Sequence, residues 1–258
     1  MCYSSLSTVK NLFKDLFRKS GAAARIGWHA PLVSRRYERM PASVWIRCLQ
    51  LMPHLDSRGY AQTLNKPRRD AEIAVFVRWQ DGKALELAKE LKSRGQRIIF
   101  DLCVNYFDAA GIFDGGYGST EAQRDECLAM AEVADAVTCS SDFIRRRAAD
   151  RHGRAVYLPD SIDRGHFGVA KSPDDYAAPR LTAAWSGQST KAGELAAVLP
   201  LLRERGMNLL IIADRRPDLT GDFEFMPWTY ESFPDAVIRG DLCLSPRSTD
   251  NPYDLGHS

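Results

Sequence analysis

No run of apolar residues in this 258-residue sequence is long enough to cross a bilayer. The best early candidate, Leu12–Phe17, is interrupted by Lys14 and Asp15, which argues against a secretory leader. Cysteines are few and scattered: Cys2, Cys48, Cys103, Cys127, Cys139 and Cys243 form no C-x-x-C pair. That spacing argues against a zinc ribbon or a redox dithiol, and suggests reduced, buried thiols of a cytoplasmic protein. A G-x-G-x-x-G dinucleotide loop is missing, and no His/Asp spacing suits a metal. Nothing in these absences calls for a metal or a cofactor, and no nucleic acid is expected as a partner.

Charge is also scarce in net terms, at +2, but it is unevenly spread. Residues 1–50 carry nine Lys/Arg against Asp15 and Glu38, a net +7 that leaves −5 on the remainder. Such asymmetry points to an anionic partner for the N-terminal edge. Within it, Leu6, Val9, Leu12, Phe13, Leu16 and Phe17 recur at helical spacing among Lys10, Lys14, Arg18 and Lys19. A basic amphipathic helix over residues 1–20 fits a peripheral contact with an anionic inner membrane face, or a loosely docked terminal helix.

What the sequence does have is hydrophobic content of 45%, ordinary for a domain with a sizeable core, and one organising stretch, Ala134–Phe167. Ala136–Cys139 reads as a strand, Ser140-Ser141-Asp142 as the N-cap of a helix over Phe143–Arg151, and Ala155–Leu158 as the next strand. Pro159-Asp160-Ser161 then turns the chain. Strand, capped helix, strand and turn make a βαβ unit of a parallel sheet.

The same residues resemble the domain junction of the GT-B glycosyltransferases, especially the family-4-like group. There an A-D-x-V-x-x-S segment and a V-x-x-L/I-P-(N/D)-(G/S)-(V/I)-D-x-x-x-F segment close the N-terminal Rossmann-like domain. Here they are Ala134–Ser141 and Val156–Phe167, with Asp160-Ser161 standing where Asn-Gly is commoner. The resemblance implies an α/β protein with a Rossmann-like N-terminal domain on a parallel sheet, followed by the first part of a second Rossmann-like domain.

The rest of the chain fits that order. Strands are expected at Arg25–His29, Gly59–Leu64, Ala71–Trp79 and Arg97–Val104, with helices near Ala42–Leu51, Lys83–Ser93 and Thr120–Val133. Phe107–Ser119 is a glycine-rich loop with aromatics, suited to cover an acceptor. Residues 170–180 are polar and proline-bearing, as a linker should be. The pattern then restarts: strand Leu181–Trp185, loop Ser186–Lys191, helix Ala192–Arg205, and strand Met207–Ala213. Further strands are expected at Phe223–Trp228 and Asp241–Ser245, flanking a helix over Tyr230–Ile238. The expected domains are thus a basic segment 1–24, an acceptor-side domain 25–169, a linker 170–180 and a partial donor-side domain 181–258.

The resemblance also implies the roles of individual residues. Ser186, Gly187, Gln188 and Lys191 resemble the G-x-x-x-K loop that meets the donor diphosphate, where small residues expose backbone N–H groups and Lys adds charge. Asp214, Trp228 and Thr229 would line the nucleotide pocket, or Trp228 would simply pack under a loop. Asn251, Gly256 and Ser258 belong to a segment like N-x-x-x-L-G-x-S/K, after which the family has further helices and strands, so the chain reads as C-terminally truncated. On the acceptor side the candidates are His29, Arg35, Arg36 and Asn105, the last of them equally suited to capping. The expected activity is metal-independent transfer of a sugar from a nucleotide-sugar to a cell-envelope glycan or lipid-linked acceptor, weakened by truncation. The alternatives are a non-catalytic remnant that binds an acceptor or partner, and, less favoured, a receiver-like or periplasmic-binding-like protein. No residue stands out as a catalytic base.

Overall fold

A computed structural model describes residues 24–31, 42–66, 70–109, 111, 118–168, 170–172 and 180–246. The basic segment 1–23, most of the glycine-rich loop, residues 173–179 of the expected linker and residues 247–258 lie outside the described residues. The chain divides into two compact units, with the change at Ser161/Ile162. Sequence placed that boundary later, in a linker over 170–180. The difference lies in two rings: His166 stacks on Tyr230 at 3.9 Å and Phe167 meets Phe233 edge-on at 5.8 Å, so this stretch packs within the second unit.

The first unit is a six-stranded sheet in the order β2-β1-β3-β4-β5-β6, every neighbouring pair parallel. Its strands are β1 (Arg25–His29), β2 (Ala61–Leu64), β3 (Ile73–Val77), β4 (Arg97–Leu102), β5 (Ala136–Cys139) and β6 (Ala155–Tyr157). β3 is buried along its whole length, because both faces of a parallel sheet are covered. Ala74 and Phe76 join Phe100, Leu102 and Val137 under the helices α3 (Gly82–Ser93), α4 (Glu121–Val133) and α5 (Asp142–Ala149). Ile73, Val75 and Val77 point the other way, to Ile26, Trp28, Val44 and Cys48. Each fully buried side chain of this size stabilises the fold by about 1.5–3 kcal/mol relative to exposure.

The helices begin where their sequence says they should. Asp81 Oδ1 accepts the Ala84 N–H at 2.9 Å, Thr120 and Gln123 form a reciprocal capping box, and Ser141 Oγ accepts the Ile144 N–H. In the first unit, among the described residues, the first helix departs from a simple α ladder. α1 (Ala42–Val44) runs into a π turn over Trp45–Leu49, closed by Gln50 N–H to Trp45 O at 3.0 Å, before α2 (Met52–Asp56).

That π turn carries Arg47, which is 4% exposed. Its Nε and Nη2 donate to the two oxygens of Asp101 at 2.9 and 2.6 Å, while Nη1 donates to the Leu158 carbonyl and Asp160 Oδ1 at 2.6 and 3.0 Å. Thr138 Oγ1 supplies another donor to Asp101 at 2.5 Å. Burial alone would ease a proton off Arg47, but Asp101, then Asp160, hold its pKa above the ordinary arginine value. A bidentate, fully desolvated pair of this kind is costly to break from one side only.

The second unit holds a four-stranded parallel sheet, β10-β7-β8-β9. Its strands are β7 (Thr182–Gly187), β8 (Asn208–Ala213), β9 (Glu224–Pro227) and β10 (Leu242–Leu244), with α7 (Phe233–Val237) between the last two. Ala183, Trp185, Leu209 and Ile211 face Leu195 and Leu202, whereas Ala184, Leu210 and Ile212 face Ala236. The single helix expected over Ala192–Arg205 is instead a 3₁₀ segment, Ser189–Ala197, followed by the short α6 (Leu199–Glu204). Pro200 has no N–H to continue an α ladder, so it sits at the start of a new helix.

Among the described residues, no helix is long and apolar enough to cross a membrane. Arg47→Met keeps the side-chain volume but strands the Asp101 carboxylate, and is expected to lower stability by about 3–5 kcal/mol in urea denaturation. A loss below about 1 kcal/mol would show that Asp101 finds another partner.

Candidate functional site

In open parallel sheets, ligands approach the carboxyl ends of the strands, at the point where strand order reverses. In the first unit that point lies between β1 and β3, since the chain goes from β1 outward to β2 and then returns to β3. A crevice of about 270 Å³ opens there, lined by Pro31 after β1, by Arg78, Trp79 and Gln80 after β3, by Ser43 and by Tyr106. Asp81, Gln123 and Glu126 complete its polar side.

Arg78 is the first residue beyond β3 and has a left-handed backbone, φ 49°. Such a conformation costs about 1–2 kcal/mol in a residue with a side chain. Its N–H donates to the Asp101 carbonyl at 2.8 Å, which fixes the turn, and its Nε donates to Tyr106 Oη at 3.0 Å. Nη1 reaches Ser43 Oγ at 3.4 Å. Gln80 is 7% exposed, yet its Oε1 accepts no hydrogen bond from any described residue. An unsatisfied buried carbonyl oxygen is expensive, about 1–3 kcal/mol.

The acceptor-side candidates fall in different places. His29 ends β1 but is 2% exposed and stacked on Phe76 at 4.8 Å. Burial lowers its pKa from 6.5 to about 4, so it is neutral at pH 7 and offers an anion no charge. Asn105 is fully buried: its Nδ2 donates to Asp108 Oδ2 at 2.9 Å and its Oδ1 accepts the Phe107 N–H at 3.1 Å. That is a local turn, and the capping side of its expected role. Arg35 and Arg36 lie outside the described residues.

The donor-side candidates gather at the carboxyl ends of β7, β8 and β9. Ser186 and Gly187, expected in a loop, are the last residues of β7, paired with Ile212 and Ala213 of β8. A side chain at Gly187 would run into the Trp185 indole, its Cβ falling 2.6 Å from the ring, so core packing alone calls for glycine there. Gln188 caps the 3₁₀ segment, and the Lys191 N–H donates to the Gln188 carbonyl at 2.8 Å. Lys191 is half-buried near the start of that segment.

The chemistry of this loop turns on Asp214, just after β8. Its Oδ1 accepts the Ser189 N–H at 2.7 Å, and its Oδ2 lies 3.2 Å from Ser189 Oγ, which also accepts from Arg215 Nε at 3.1 Å. The Ser189 N–H, then its hydroxyl, hold the Asp214 carboxyl below the usual carboxylate range. The backbone donor best placed for a phosphate is thus engaged by the protein's own carboxylate. Trp228 is half-buried against the cluster of Ala184, Leu210, Ile212 and Ala236, with Phe233 beside it, and Thr229 Oγ1 accepts the Ser232 N–H at 3.1 Å. Asn251, Gly256 and Ser258 lie outside the described residues.

Two features are not evident from the sequence. A carboxylate inside the apolar run RIIFDLCV is a signal that a buried cation must exist, although it does not say which. Arg78 and Gln80 carry no such mark, since R-W-Q-D-G reads as an ordinary strand exit. Burial pushes the Cys48 thiol up to about 12, the half-buried Cys103 to about 11 and Cys139 to about 12, which disfavours their thiolate forms. No group of three or more His, Cys, Asp or Glu among the described residues could hold a metal ion. A scan against protein-family models and a search of the curated proteins both return no match.

His29 makes stability depend on pH. Its folded pKa of about 4 lies below the unfolded value of 6.5, so its contribution is complete above pH 6.5 and is lost as pH falls toward 4. The loss should approach about 3 kcal/mol, from 1.36 kcal/mol per pKa unit. Denaturation curves of the His29→Phe variant, compared with wild type across that window, should lack this component. Parallel pH profiles would mean His29 takes up protons in the folded state.

Proposed function

We propose that the chain is the acceptor-side domain and the first part of the donor-side domain of a GT-B glycosyltransferase, acting on a nucleotide-sugar and a glycan or lipid-linked acceptor. The observation that carries this reading is the fit between motif and architecture. The Ala134–Phe167 string that resembles the family's domain junction spans β5, α5, β6 and the turn beyond, and a second parallel sheet starts at β7. In this reading Ser186–Lys191 and Asp214 face the donor diphosphate. Lys191 supplies the charge that stabilises the leaving group. Chemistry of that kind asks for no metal.

A second reading, a non-catalytic binding fragment, is favoured by the Ser189–Asp214 pairing. A diphosphate at this loop would have to displace Asp214 from the Ser189 N–H and would meet a like charge while doing so.

Calorimetric titration with UDP and GDP separates the two. The transferase reading expects saturable binding that Lys191→Ala weakens at least tenfold, about 1.4 kcal/mol, and that Asp214→Asn strengthens. A folded chain that binds neither nucleotide, with Asp214→Asn equally silent, leaves only the binding fragment.

A further inference from the structure

We propose that the second unit binds a small phosphorylated molecule at the amino ends of β7, β8 and β9, held by Arg180, Arg203 and Arg216. A cavity of about 570 Å³ opens there, bordered by Thr182, Asn208 and Glu224, the first residues of the three strands. That volume lies within the roughly 300–1,000 Å³ of small-molecule sites. Ser186, Gly187 and Asp214 stand at the other end of the same sheet, at the carboxyl ends of β7 and β8. The cavity is therefore separate from the donor loop, and its ligand does not depend on the transferase reading.

The three guanidinium groups carry the argument. Arg180 and Arg216 line the cavity, and Arg203 of α6 lies against its wall at Gly221, where a Cβ would fall 2.5 Å from Nη2. Two of them are held in ways that leave their charge unanswered. Arg180 Nε donates to the Gly206 carbonyl, and the Arg216 guanidinium sits 4.5 Å from the centroid of the Phe223 ring. None of the three forms an ion pair with a described residue. The lining carboxylate Glu224, in contrast, is already paired with Arg239 at 2.7 Å, which leaves Asp222 as the opposing charge among the described lining residues. Guanidinium forks match phosphate oxygens in pairs. Several of them at one cavity ask for more than a single negative charge, and a phosphate ester carries about −1.5 to −2 on one group. Thr182 and Asn208 add neutral hydrogen-bonding groups for the rest of the molecule.

The test is calorimetric titration of the full chain with pyrophosphate and with fructose 1,6-bisphosphate. Saturable binding of at least one is expected. Arg180→Gln and Arg216→Gln should each weaken it about tenfold or more, the worth of one charge-assisted hydrogen bond. Asp222→Asn removes the opposing charge and should strengthen it. All three positions are exposed, so the variants should keep the wild-type melting temperature. The binding should also persist in Lys191→Ala, which disables the donor loop. Binding of neither ligand, binding that both arginine variants leave intact, or binding lost in Lys191→Ala alone would overturn the proposal. Titration of the same samples with UDP and GDP keeps the two claims apart. Nucleotide binding without either phosphorylated probe defeats this site alone, and probe binding without nucleotide upholds it while defeating the transferase reading.

Discussion

The Arg47 guanidinium is the fixed point of the first unit. Its four hydrogen bonds are spread over Asp101 in the central strand β4 and over Leu158 and Asp160 beyond β6. Thr138 of β5 joins through Asp101. A helix, two interior strands and the exit turn thereby share one charge cluster, with Arg47 and Asp101 buried and Asp160 at its exposed rim. Arg47 stands at the centre of the π turn Trp45–Leu49. Asp101 also reaches outward, because its backbone carbonyl receives the Arg78 N–H and so holds the left-handed residue at the mouth of the crevice. Stability at the cluster and strain at the crevice are two ends of one short path.

A second device repeats through both sheets. Glu72, Asp135 and Asp241 each stand immediately before a strand, and each carboxylate accepts a backbone N–H at the start of the neighbouring strand: Arg25, Ile98 and Thr182. In each case the acidic residue's own N–H returns to the carbonyl of that same partner. Such a clasp fixes parallel register at the amino end of a strand pair, where no tight turn can do so. At Asp241 the clasp is reinforced by Lys171 at 2.6 Å, which, ahead of the Thr182 N–H, holds the carboxyl below its usual range. The aspartate in the A-D-x-V string is therefore architectural. It is the part of the motif that a parallel sheet would keep whatever the protein did.

The range over which each residue acts decides what could be read from the sequence and what could not. Strand positions were legible because β3, β4 and β8 are buried on both faces and read as apolar runs, broken in β4 only by Asp101; the cap at Ser141 was legible because it acts within three residues of itself. Facts that depend on distant residues were not. Gly187 looked like a phosphate-loop glycine, and its space is filled by Trp185 from two residues back. His29 looked like an anion contact at a strand end, and Phe76 from the adjacent strand buries it. Asp214 looked like one more lining residue, and it holds the N–H that a phosphate would need. In each case the residue type was visible and its partner was not.

The two ends of the molecule's polar chemistry differ in one respect that matters for function. The Arg47 cluster, the three clasps and the Ser189–Asp214 pair are closed: donors meet acceptors within the chain. Gln80 Oε1 differs, being buried with no partner among the described residues, two positions from Arg78 with its positive φ. Closed networks raise stability and specify register; they gain nothing from a ligand. An open one lowers the stability of the empty protein and returns that energy on binding, which is how a site comes to favour its occupant over water. By that criterion the uncompensated cost among the described residues sits at three buried atoms, Ser140 Oγ and His166 Nε2 as well as Gln80 Oε1, rather than at the closed Ser189–Asp214 loop after β7.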